Sequence, residues 1–80
     1  MFVEVDRDIV ALVYDQLPHR VRDILTVRLK TDPYLLRAEA LFTDANGRTT
    51  TCFLEPFALG EVTVNCRIPD ATLALLCVQT

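Results

Sequence analysis

Three cysteines and one histidine are the residues of this 80-residue chain best suited to nucleophilic or metal chemistry. Cys52, Cys66 and Cys77 are separated by 13 and 10 intervening residues. Zinc sites usually pair two ligands at C-x2-C or similar short spacing, and no such pair occurs here, so no metal or other cofactor is expected. A thiol nucleophile needs a base beside it and a third group to orient that base. His19, the one imidazole, lies in PHRVRD among charges, far from any cysteine along the chain. A small thiol enzyme is therefore the least favoured reading. The carboxylates of EVDRD lack the further oxygens and glycine turn of a calcium loop, and suit helix capping better. With two glycines in the chain, no phosphate-cradling loop can be built.

Binding chemistry has more to work with. Residues 19 to 37 carry Arg20, Arg22, Arg28, Lys30 and Arg37 against Asp23 and Asp32, whereas residues 1 to 18 are acidic. On a strand Arg28 and Lys30 share a side, as phosphate contacts would require. Yet the formal net charge is -3, and residues 19 to 33 contain no aromatic on which a base could stack. A nucleic-acid role for Arg20, Arg22, Arg28 and Lys30 thus ranks behind that of a solvated cationic edge, which also discourages stray strand pairing.

The elements that would position these groups follow from hydrophobic periodicity. In DRDIVALVYDQLPHRVRDIL, residues Ile9, Val10, Val13, Tyr14, Leu17, Val21, Ile24 and Leu25 fall on one arc at 3.6 residues per turn. Pro18 interrupts the helical backbone while the arc keeps its phase, so one kinked helix or two short helices are expected. From residue 26 the period becomes two, with alternating runs at 26 to 30, 34 to 44, 48 to 55 and 61 to 68. A last run at 72 to 79 reads as a strand, with a helix capped by Asp70 as its alternative. The expected fold is α+β: an amphipathic N-terminal helix, kinked or split at Pro18, packed on a four- to five-stranded antiparallel meander.

Asn46-Gly47 predicts a two-residue hairpin turn with Ala45 facing Arg48. Counting outward pairs Phe42 with Thr51, Ala40 with Phe53 and Leu36 with Phe57 on the helix-covered face, and Leu41 with Cys52 and Glu39 with Leu54 on the other. That second face would carry Leu35, Arg37, Glu39, Leu41, Cys52 and Leu54, too apolar for open solvent and too polar for a core. By the same counting, a tight turn at Pro69-Asp70 sets Cys66 opposite Leu73 and Cys77 opposite Val62, as small core residues.

Composition sets the frame for function. The chain is 51% hydrophobic and 24% charged, which excludes disorder, and its length suits a single domain, 1–80, with room for one site. The opening MFVEVDRD has no signal-peptide pattern, ATLALLCV is too short for a membrane span, and an odd cysteine count favours a reducing, cytoplasmic setting. The expectation is a non-catalytic protein-interaction module, a regulator, inhibitor or assembly subunit, which covers its apolar sheet face with a protein partner, in the simplest case a second copy of itself.

Overall fold

The computed structural model describes the backbone of residues 7–32 and 37–78. Its elements run α1 (Arg7–Asp15), α2 (His19–Arg22), β1 (Thr26–Asp32), β2 (Arg37–Thr43), β3 (Thr49–Phe53), β4 (Glu55–Leu59), β5 (Val62–Arg67) and α3 (Asp70–Val78). The fold is mixed α+β, with an antiparallel sheet β1-β2-β3 and a separate antiparallel pair β4-β5.

The two N-terminal helices illustrate the action of proline. After Asp15 the chain tightens, Gln16 and Leu17 donating to the carbonyls of Val13 and Tyr14 three residues back. Pro18 has no N–H with which to continue and disfavours helical backbone at Leu17. It becomes instead the residue that precedes α2, its carbonyl accepting from Val21 at 3.0 Å and Arg22 at 2.9 Å. Val13, Leu17 and Val21 nevertheless share one buried core.

In the three-stranded sheet burial alternates as the period-two pattern demands. Val27 and Leu29 of β1, and Ala38, Ala40 and Phe42 of β2, point into the core. Thr26 and Arg28 point out, exposed, and so do Lys30, Glu39 and Leu41, half-buried. Tyr14 on α1 ties the helix to this sheet, its hydroxyl accepting the backbone N–H of Val27 at 2.9 Å.

The central hairpin departs from the expected register by one residue. Asp44 and Arg48 close a three-residue loop: the Asp44 N–H donates to the Arg48 carbonyl at 3.0 Å, and the Asp44 carboxylate accepts the N–H groups of Asn46 and Arg48, each at 2.9 Å. Gly47 sits at φ +83°, the left-handed position that follows a type I turn in such loops. Ala45 therefore belongs to the loop, Ala40 pairs with Cys52, Leu41 with Thr51 and Glu39 with Phe53. A one-residue shift exchanges the two faces of β3. Cys52 moves to the helix side, where it packs on the core, and Leu54 is 4% exposed within that core, while Phe53 turns outward.

Two further expectations fail beyond Phe53. The meander does not continue: β4 pairs with β5, so that Phe57 faces Val64, with a bulge at Glu55/Pro56 where proline cannot supply a ladder donor. Gly60, at φ +63°, starts the two-residue turn between Leu59 and Val62. Leu36, the expected partner of Phe57, lies outside the described residues, as does Leu35. The run expected as a last strand is helix α3, so Cys66 and Cys77 do not pair with Leu73 and Val62. Pro69-Asp70 opens this helix, Leu73 donating to the Pro69 carbonyl at 2.9 Å, and alanine and leucine are strong helix formers.

The side chain of Gln16 joins α1 to the end of β5. The Gln16 amide donates to the carbonyls of Leu12 at 3.1 Å and Cys66 at 2.5 Å, and its oxygen accepts the N–H of Ile68 at 2.7 Å. It thereby stands in for a neighbouring strand where β5 leaves its sheet.

Candidate protein-interaction surface

Two exposed regions emerge from this architecture. The first is the outer face of β1-β2-β3, the surface expected from the sequence. Its β2 part is placed as anticipated, with Arg37, Glu39 and Leu41 directed away from buried Ala38, Ala40 and Phe42. Its β3 part consists of Thr49, Thr51 and Phe53 in place of Cys52 and Leu54. Phe53 is 52% exposed, and the Arg37 guanidinium lies over its ring, 4.7 Å from the centroid. Leu41 sits between Arg28 on β1 and Thr51 on β3, and Glu39 between Lys30 and Phe53. Arg28 and Thr51 thus flank Leu41, the one aliphatic residue described at the middle of this face.

The five cations of the middle segment are divided between the two sides of the sheet. Arg28, Lys30 and Arg37 share the outer face, whereas Arg20 and Arg22 belong to the helical layer. Arg22 serves α1, donating to the Leu17 carbonyl at 3.0 Å and the Asp15 carbonyl at 3.3 Å, with the Asp15 carboxylate at 4.0 Å. Arg20 donates to the Cys77 carbonyl at 3.4 Å, at the C-terminal end of α3. There a cation complements the negative end of the helix dipole.

The second region is not among those expected from the sequence. Apart from Asp70 and Thr72, helix α3 consists of apolar residues. Leu76 is buried and Leu73 and Cys77 pack on the core, while Ala71, Ala74, Leu75 and Val78 face outward, with Leu75 51% and Val78 80% exposed. These four positions follow i, i+3, i+4, i+7, which is one continuous helical stripe. No charge follows Asp70 in the helix to shield them. The signal was present in ATLALLCV, for an uninterrupted apolar run wound into a surface helix must expose part of itself. On the β4-β5 pair, Phe57 and Val62 are also exposed, Val62 at 62%.

Burial disfavours the thiolate form at two of the three cysteines. Burial raises the Cys52 thiol above its ordinary value, opposed by a hydrogen bond with Thr72 of α3 and reinforced by the charges of Glu39 and Glu55. Burial likewise raises Cys66. His19 is exposed on α2. Among the described residues no three His, Cys, Asp or Glu side chains gather as metal ligands, and no helix is long and apolar enough to cross a membrane. Comparison of the chain with protein-family models, with curated proteins and with solved structures finds no match.

Proposed function

We propose that this chain is a non-catalytic protein-interaction module, a regulator, inhibitor or assembly subunit working in a reducing compartment, and that its docking surface is the outward stripe of α3. The observation that supports this reading is the exposure of Leu75 and Val78 on a helix with no charged residue after Asp70. Contiguous apolar surface of this kind favours partner binding, because covering it removes apolar area from water at about 25 cal/mol per Å2. The raised thiols agree with a role other than catalysis. A photo-crosslinking side chain at position 75, expressed in the source cell, should yield one discrete protein adduct that Val78→Asp abolishes. The same group at Thr51 should yield none, and adducts from position 51 alone would overturn the choice of surface.

A second reading is favoured by one observation. Arg28, Lys30 and Arg37 share the outer sheet face with exposed Phe53, a combination that suits phosphate and base contacts. Single-stranded oligonucleotide binding at low salt that is lost on Phe53→Ala and as salt rises would support it, and no binding at low salt would reject it.

A further inference from the structure

We infer that the α3 stripe is covered by the same stripe of a second copy, in an antiparallel helix pair about a two-fold axis between residues 74 and 75. The inference rests on the reading of α3 as a docking surface and adds the identity of its occupant. Two features support it, and a third sets its strength.

Size is complementary. Antiparallel alignment centred between 74 and 75 sets Val78 against Ala71 of the other copy and Leu75 against Ala74, a large side chain meeting a small one at every step. Such pairs let two helices approach closely and interdigitate. All four contacts follow from one isologous patch, as two-fold symmetry requires.

Charge is complementary as well. The alignment brings Asp70 of one copy to the C-terminal end of the other copy's α3, where Arg20 is held at the Cys77 carbonyl. Asp70 thereby meets a guanidinium twice per dimer. Within its own chain, the Arg67 guanidinium near Asp70 is engaged by the Glu55 carboxylate. Antiparallel helix dipoles also oppose one another favourably.

The extent of the patch sets the strength. A nine-residue helix is about 13 Å long, and its stripe is smaller than the roughly 800 Å2 per partner of stable complexes. The dimer is therefore weak and concentration-dependent.

Sedimentation of the full chain tests this directly. Between about 10 μM and about 1 mM the weight-average mass should climb from 9.0 kDa toward twice that value. Leu75→Arg should hold it at the single-chain mass throughout. Arg20→Asp alone should weaken association about tenfold, Asp70→Arg likewise, and the double reversal should restore it to within about threefold of the parent. Because Asp70 also opens the helix, Asp70→Asn provides a milder variant, and circular dichroism verifies folding of each. A single-chain mass at every concentration, or association indifferent to Leu75→Arg, would overturn the inference. If the position-75 crosslink to a different protein survives in that case, the interaction reading stands without self-association.

Discussion

The outer face of the three-stranded sheet and the outward stripe of α3 both expose apolar groups, and they manage them differently. On the sheet, Leu41 is flanked by Arg28 and Thr51, and Phe53 lies beneath the Arg37 guanidinium. Leu41 thus stands beside an arginine stem and a threonine methyl, and one face of the Phe53 ring is engaged by a cation. On α3 the residues beside Leu75 and Val78 along the stripe are alanines. The sheet face therefore tolerates solvent and the helix stripe benefits from a cover. The two faces differ in the character of the neighbours more than in the number of apolar residues.

Substitutions that probe this contrast differ widely in size. The largest effect is expected for Leu54→Arg. On the register expected from the sequence this position faces outward and accepts a charge, whereas in the structure it is core, and an unpaired guanidinium there costs at least about 4 kcal/mol. Urea denaturation should show loss of the cooperative folded state, and a stable, folded Leu54→Arg would refute the three-residue loop. Gln16→Leu comes next, leaving the Cys66 carbonyl and Ile68 N–H without their partner at about 1–3 kcal/mol apiece. Its mark should be faster amide exchange at Ile68 together with a lower urea midpoint. Gly47→Ala places a Cβ at φ +83° and should cost about 1 kcal/mol by thermal unfolding. Leu41→Arg, placed among screened neighbours, should shift stability by no more than about 1 kcal/mol and leave the solution mass unchanged, in contrast to Leu75→Arg.

The smallest effect concerns pH. Burial holds the Cys52 and Cys66 thiols above their ordinary value of 9.0. In the alkaline range the folded chain thus binds protons more tightly than the unfolded chain, and stability falls as pH rises through and beyond that value. Replacing Cys52 by Ala should flatten part of this alkaline decline in a series of melting curves. Iodoacetamide should correspondingly alkylate Cys52 more slowly than a free thiol at neutral pH.

Some of this architecture is legible in residue order and some is not, for physical reasons. The inward set Ala38, Ala40 and Phe42, with outward Arg37, Glu39 and Leu41, reads directly from alternation because one face of β2 is core and the other is not. The facing of the partner strand is not legible in the same way, because the Asp44 carboxylate, a hydrogen-bonding group outside the Asn-Gly pair, lengthens the loop by one residue. Residues 72 to 79 carry no usable period, since nearly every position is apolar, and helix propensity together with the Pro69-Asp70 start decides the state of residues 72 to 78. Gln16 gave no sign of its role because its partners, Cys66 and Ile68, lie some fifty positions along the chain. The outward stripe of α3 is hidden in the sequence for the same reason as α3 itself: its spacing has meaning only once the run is wound into a helix.

The three-residue loop at Ala45, Asn46 and Gly47 bears on how this chain tolerates change over evolutionary time. Removing one residue there would rotate β3 by half a pleat, presenting threonines to the interior and sending Cys52 and Leu54 toward solvent. Point replacements at Ala45, exposed at the loop tip, leave that parity intact. Descendants of this chain should therefore vary freely in the identity of that residue and conserve the length of the segment that contains it.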